Sequence, residues 1–358
     1  MNVRYPMGGK PPTIEIEYGL AYEFLLSLIV ANEQEGDEYE YELGKEWFDT
    51  VRTKVDPDLL QATALFRSNC NHIWHRLIGL VYDSDPPRDV PAFLAHFEEI
   101  EPLELRLHLL GYYQRSVRRS TPLDVIVQAA EGDAEAQRQV LKTSSPDDHD
   151  WQEFLHNLFS VDAEKAKSIV MDILQGWYKQ VFRDLEPQVV PILERDLEAK
   201  RAMKPNMSAE RLIETATNGL EYVPEPGLRK VLLIPTYVMR PWNEPCEYQD
   251  MKIFCYPVAD ESVTEDSNTP PVRLVRLFKA LADERRLRIL KMLMTRSYSL
   301  QEIADEFGVA KTTMHHHLGT LRTAGLVRAQ SNEKMYSLRH TMLPEVSELL
   351  NNYLKGKS

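Results

Sequence analysis

The chain has 358 residues, of which 43% are hydrophobic and 27% charged, with three cysteines and a formal net charge of −13. That length suggests two or three domains, and the apolar content excludes global disorder. Cys70, Cys246 and Cys255 are too few and too scattered for a disulfide framework, and the most apolar stretch, Gly19 to Ala31, is too short to span a bilayer. No basic segment followed by an apolar run opens the chain, so a soluble cytoplasmic protein is expected.

Taken in order, Ile14 to Tyr18 alternates as a short strand and leads into a helix over 20–31. The stretch from Glu33 to Glu42 is acidic and reads as a solvated loop or helix end. From Tyr41 to Lys142 the pattern is a succession of helices, broken at Asp56-Pro57, Asp85-Pro86-Pro87, Glu101-Pro102 and Thr121-Pro122. A proline opens a helix readily but does not continue one. A longer helix is predicted over 161–185, with Ile169, Ile173, Trp177 and Val181 on one face. A break or kink at Pro187 and Pro191 is then expected before a helix over 193–203. Lys230 to Ile234 and Met251 to Tyr256 read as strands, separated by a Pro-rich turn at 241–245. Cys246 and Cys255, in or near those strands, read as buried apolar fillers.

Charge is divided unevenly. From Pro270 to Ser358 there are 15 Lys and Arg against 8 Asp and Glu, a net of +7, whereas residues 1–269 carry a net of −20. Two domains with unrelated surface charges would give this, as would a C-terminal part that meets a polyanion. The acidic, Ser/Thr-rich stretch 259–271 ends in two prolines and reads as the domain boundary. The chain is therefore read as a mainly helical region over 1–258 closing in a small β element, a linker over 259–271, and a C-terminal domain over 272–358.

In that last domain Leu274, Leu277, Phe278 and Leu281 mark a helix, and Leu287, Ile289, Leu290 and Leu293 a second. Ser299 with Glu302 has the form of a capping box that opens a third helix through Phe307. Gly308 sits where that helix must stop, and a fourth helix runs over 311–323: the helix-turn-helix spacing. Alternation over 326–330 and 335–339 predicts a β-hairpin wing over 326–339. The fold class is thus mainly α with small β elements, a helical N-terminal region followed by a winged helix-turn-helix. Around the fourth helix, Met314, Leu318 and Leu321 share the buried side, while Thr312, His316, Gly319 and Thr323 point the opposite way with His315 on the shoulder. A small, polar outer face suits the major groove of duplex DNA. Lys311, Thr312, Thr313, His315, His316 and Arg322 are candidate DNA contacts on this helix, and Arg328 and Lys334 on the wing. If His315 and His316 meet phosphate, their protonation adds charge, and DNA affinity rises between about pH 8 and pH 6.

Lys279-Ala-Leu-Ala-Asp-Glu-Arg-Arg-Leu-Arg-Ile-Leu290, Glu302-Ile-Ala304, Thr312-Thr-Met-His-His-His-Leu318 and Leu321-Arg-Thr-Ala-Gly-Leu-Val327 resemble, in order and spacing, the ArsR/SmtB group of bacterial transcriptional regulators. The resemblance covers about a quarter of the chain. It implies sequence-specific binding of double-stranded DNA, repression as the default outcome, and a packed, structural His317. It also implies a homodimer on a palindromic operator, with the last helix (Met342, Leu343, Val346, Leu349, Leu350, Tyr353) pairing with the domain's first helix across the two-fold axis. The N-terminal region resembles the extra region of ArsR-type regulators whose signal is unassigned. All five tryptophans lie there, lining either a pocket for an apolar small-molecule ligand or, more commonly for such residues, a helical core.

No metal or other cofactor is expected. Three consecutive histidines, 315–317, splay over 200° of a helix and do not converge on one ion. The family's thiolate positions fall at Ser299 and Gln301, and His340, Glu345 and Glu348 do not supply its other ligand pattern. Cys70, His72 and His75 are the remaining cluster with ligand chemistry, and core packing is the favoured reading of that helix. The chain shows no phosphate loop, nucleophile elbow or dinucleotide fingerprint, so an enzyme is not expected. Two alternatives stay open: a winged helix used as a protein-interaction module, or one appended to an N-terminal enzyme.

Overall fold

The computed structural model describes residues 12–32, 41–57, 59, 72–145, 148–223, 225–263, 270–330, 335–339 and 342–355. It divides into two compact units. One joins Pro12–Glu194 to Gly227–Cys255, and the other joins Arg195–Pro226 to Tyr256–Ser358.

The first unit opens with β1 (Thr13–Ile16) and α1 (Leu20–Ala31), and continues through α2 (Gly44–Lys54), α3 (His72–Asp83), α4 (Val90–Glu99), α5 (Pro102–Leu110) and α6 (Arg115–Ser120). Then follow α7 (Leu123–Glu131), α8 (Ala134–Thr143), α9 (His149–Ser160) and α10 (Ala163–Trp177). The prolines fall where the sequence puts them. Asp89 caps α4 by accepting the Ala92 N–H at 2.8 Å, with Pro91 in the first turn, and Pro102 opens α5. The acidic segment expected over 33–42 falls, at 33–40, outside the described residues.

A π-helical turn over Tyr178–Phe182 joins α10 to α11 (Arg183–Met203). Of the break or kink expected at Pro187 and Pro191, a break does not occur, because both prolines lie inside α11. They are one turn apart on its exposed face, where carbonyls deprived of an N–H partner bond water instead. The opposite face, with Val189 and Leu193, is buried.

Downstream come α12 (Ala209–Ala216), β2 (Leu220–Glu221), β3 (Lys230–Thr236), β4 (Glu244–Tyr248) and β5 (Met251–Pro257). The first unit's sheet has the order β1-β3-β5-β4, with β1 parallel to β3 (Ile14 opposite Val231) and β4 antiparallel to β5 (Cys246 opposite Ile253). Val231 to Ile234 are buried without alternation, as in a strand covered on both faces. The Pro-rich turn expected at 241–245 gives way to a strand from Glu244. That strand is at the sheet's edge, where the N–H that Pro245 lacks costs no ladder bond. Cys246 and Cys255 are buried free thiols, and burial pushes both pKa values well up.

The second unit adds α13 (Asp260–Val263), α14 (Val272–Leu281), α15 (Glu284–Leu293), β6 (Tyr298–Ser299), α16 (Leu300–Phe307), α17 (Lys311–Thr323), β7 (Val327–Gln330), β8 (Met335–Leu338) and α18 (Met342–Leu354). β7 and β8 are antiparallel, the hairpin expected over 326–339, with residues 331–334 outside the description. Their sheet has the order β2-β7-β8-β6, and β2 runs parallel to β7. A strand from ahead of the expected linker thus belongs to the wing. Residues 259–263 also fold onto α11: Ala259 N–H and Ser262 Oγ donate to Asp196 Oδ1 at 2.8 and 3.1 Å, and Arg195 donates to the Ser262 carbonyl. The division of the chain therefore differs from a single cut at 259–271, which falls inside the second unit.

Candidate nucleic-acid interface

α16 begins with the full capping box: Ser299 Oγ accepts the Glu302 N–H at 3.2 Å, and Glu302 accepts the Ser299 N–H at 2.7 Å. It ends at Gly308, whose φ of +61° is left-handed, a conformation that costs a side-chain-bearing residue about 1 kcal/mol. The chain then re-enters helix at Lys311. Ala310 precedes it without a side-chain cap, so the first-turn N–H groups of α17 carry no capping side chain. Such groups favour an anion.

α17 is anchored by Met314, Leu318 and Leu321, each 0% exposed, as the periodicity predicts. They join Leu277, Ile289, Leu293, Ile303, Leu326 and Leu338 in one apolar core, which fixes the helix's rotation about its axis. Lys311, Thr312, Thr313, His315 and His316 are all exposed, with Thr312 and His316 opposite the stripe. His317 is buried beside the stripe, and burial lowers its pKa against the opposing pull of Asp283. Gly319 and Arg322 are half-buried further along.

One outward assignment is corrected. Thr323 is buried, with its hydroxyl on the Thr320 carbonyl, because α17 ends against Arg276 and Asn218, which both donate to the Thr323 carbonyl at 3.2 Å. Burial pulls the Arg276 pKa down to about 10. Arg328, a candidate phosphate contact on the wing, has its Nη2 2.7 Å from Glu214 Oε1 of α12. Lys334, the other wing candidate, lies outside the described residues.

The sequence reading missed Glu214, Asn218, Arg276 and Arg339. A turn signal was there in Asn218-Gly219, but nothing local says that this turn meets the wing. The close approach is visible at Gly325, where φ is +71° and a Cβ would sit 2.7 Å from Asn218 Oδ1.

A second surface of this unit is apolar. Val272, Val275 and Phe278 recur along α14 and are 41%, 39% and 43% exposed. Leu287 is exposed on α15. On α18, which packs against α14, Val346, Leu349, Leu350 and Tyr353 are half-buried, while the side chains of Met342 and Leu343 lie outside the description.

Among the described residues, no three His, Cys, Asp or Glu side chains are grouped to hold a metal ion. Cys70 and the His72 side chain are outside them, and His75 Nε2 lies 3.3 Å from Glu244 Oε1. Likewise, no described helix is long and apolar enough to cross a membrane.

The model of the arsR family of bacterial regulatory proteins matches residues 283–329, which hold α15, α16, α17 and most of β7. The transcriptional activator HlyU of Vibrio cholerae is 36% identical over 80 residues, 22% of this chain and 74% of that protein. The HTH-type transcriptional regulator YceK of Bacillus subtilis is 40% identical over 83 residues, covering 21% and 83%. The transcriptional repressor SdpR of Bacillus subtilis is 31% identical over 83 residues, covering 22% and 92%. No solved structure matches the chain. Through this C-terminal domain, a transcription-regulator module, the chain belongs to the ArsR family of bacterial regulatory proteins.

Proposed function

We propose that the protein is a sequence-specific, duplex-DNA-binding transcriptional repressor that works as a homodimer on a palindromic operator. The observation that carries this reading is the face of α17. Lys311, Thr312, Thr313, His315 and His316 are all exposed over a fully buried stripe, at the second helix of a helix-turn-helix. Thr312, Thr313, His315 and His316 read base edges, and Lys311 and Arg322 hold phosphates at either end of the helix. The hairpin of β7 and β8 lies along the flanking backbone.

Dimerisation is supported by the apolar strip Val272, Val275 and Phe278, which a second copy covers across a two-fold axis together with α18. Repression is the sense carried by the name of the SdpR relative, and the HlyU name carries the opposite sense, so a reporter downstream of a recovered site decides the sign. The first unit is the input module, receiving a small-molecule ligand or another signal. A regulator of this kind meets its DNA in the cytoplasm.

The test is recovery of fragmented genomic DNA by the purified chain at near-physiological salt, beside the variant with Thr312, Thr313, His315 and His316 changed to alanine. Enrichment of a few palindromic sites by the parent and not by the variant is the expected result. Enrichment by neither, with binding that is insensitive to salt, turns the winged helix into a protein-interaction module.

A further inference from the structure

The wing is braced by a segment outside the region that the ArsR family model matches. Asn218 (φ +53°) and Gly219 (φ +110°) turn the chain out of α12 and lay β2 along β7, with Leu220 opposite Ala329 and Glu221 opposite Gln330. Asn218 holds both ends of the arrangement. Its Nδ2 donates to the Thr323 carbonyl at the end of α17, and its Oδ1 accepts from Arg339 Nη1 at 3.1 Å. One helical turn earlier, Glu214 aims its carboxylate at the wing. Its Oε1 lies 2.7 Å from Arg328 Nη2 and 3.6 Å from Arg339 Nε.

Resting on the DNA-binding reading, we infer that Glu214 is an internal competitor of the DNA backbone. Its carboxylate occupies the wing arginines that a phosphate would otherwise take, and DNA docking displaces it. Three features support this. Carboxylate and phosphate oxygens are interchangeable acceptors for a guanidinium fork, so the exchange is like for like. The same Glu214 oxygen lies against both arginines, so displacing one carboxylate bears on both. The side chains of Arg328, Arg339 and Glu214 are 29%, 12% and 22% exposed, so solvent reaches the cluster and the released carboxylate is hydrated rather than stranded. Since α12 and β2 lie outside the matched residues 283–329, the segment 209–221 gives this chain a control of DNA affinity that the shared module does not itself encode. Whatever draws α12 off the wing tightens DNA binding.

The test uses the full chain and a fluorescein-labelled 30-base-pair duplex of mixed sequence, since phosphate contacts operate on any sequence. The variants are Glu214→Gln, Arg328→Ala and the double change. Glu214→Gln keeps the volume and removes the charge, and affinity is expected to rise about three- to tenfold. The rise is expected to vanish in the Arg328→Ala background, since the released arginine is what the phosphate takes. An unchanged or weaker affinity for Glu214→Gln, or a rise that survives Arg328→Ala, overturns the inference and leaves Glu214 as a brace of the wing. Should Glu214→Gln melt well below the parent, Glu214→Asp, which keeps the charge but shortens its reach, is read instead with the same expected sign. A parent that binds no duplex even at low salt overturns the DNA-binding reading and this inference together. A parent that binds without the gain overturns this inference alone.

Discussion

The first unit and the winged helix differ in where they place their polar side chains. The first buries several of them. Glu23 is 1% exposed in the middle of α1, accepting the Thr236 hydroxyl at 2.6 Å and the Tyr237 and Val238 N–H groups at 3.0 and 2.9 Å, and burial pushes its pKa up to about 7. His108 is enclosed with the Tyr113 and Tyr248 rings, and burial pulls its pKa down to about 4. Arg240 is 2% exposed and pairs with Glu42 at 2.6 Å. The winged helix has an apolar core from Leu277 to Leu338, exposes Lys311, Thr312, Thr313, His315 and His316 on α17, and leaves an apolar strip on α14 exposed. A unit whose work is done on its surface needs a simple interior and a differentiated exterior. The first unit has a differentiated interior, with Glu23, His108 and Arg240 all buried.

The strongest way to break that contrast is at the exterior of α17. Changing Thr312, Thr313, His315 and His316 together to alanine leaves the apolar stripe intact, so the melting temperature stays near that of the parent. Loss of several base contacts worth about 1–3 kcal/mol each lowers affinity for a recovered operator by at least about a hundredfold. Fluorescence anisotropy measures the affinity, and a drop below tenfold places the reading surface elsewhere.

Next comes the apolar exterior. Phe278→Glu puts a charge in the proposed two-fold interface while leaving the buried Leu274 and Leu277 untouched. Sedimentation is expected to show a monomer, with operator affinity lowered by roughly tenfold or more as one half-site is lost. A variant that stays dimeric moves the interface off α14.

A smaller effect is expected where the second unit packs most tightly. Gly325→Ala meets both a left-handed φ and Asn218 Oδ1 at 2.7 Å, and is expected to cost about 1–3 kcal/mol in urea titration. Asn218→Ala in the same chain relieves the steric part only, so a complete rescue contradicts the backbone account.

The interior of the first unit is read through pH. Glu23 has its folded pKa raised above the ordinary 4.5, so its stabilising contribution is present below pH 4.5 and is lost as pH rises towards 7. His108 has its folded pKa depressed below 6.5, so its contribution is present above that and is lost as pH falls towards 4. Their slopes oppose one another between about pH 4.5 and 6.5 and partly cancel in the parent. Glu23→Gln is expected to make stability rise more steeply with pH across that window, and His108→Gln to make it fall. Urea midpoints at half-unit pH steps measure both, and parallel curves for all three proteins contradict the assignment.

The same contrast explains what the sequence disclosed. The winged helix was legible almost residue by residue, because the capping box of Ser299 and Glu302, the stop at Gly308 and the stripe Met314, Leu318 and Leu321 are local patterns that a helix obeys on its own. Phe278 and Leu287 mark their helices correctly, but periodicity alone does not tell an exposed apolar position from a buried one. In the first unit, β1, α1 and the strands at 230 and 251 were legible from their runs. The partners of Glu23 were not, since they lie more than 200 positions away. The carboxylate beside Arg328 was hidden for the same reason, since Glu214 lies 114 positions earlier on another helix. The prolines of α11 were misplaced because sequence gives the missing N–H but not the side of the helix that faces water.

The most direct test of the central claim is the ratio of affinities for one recovered palindromic site and for a scrambled duplex of the same composition, at about 150 mM salt. The account predicts a ratio of about a thousand or more for the parent chain and a ratio near one for the quadruple α17 variant. A ratio near one for the parent would contradict it, since α17 would then hold DNA without reading it.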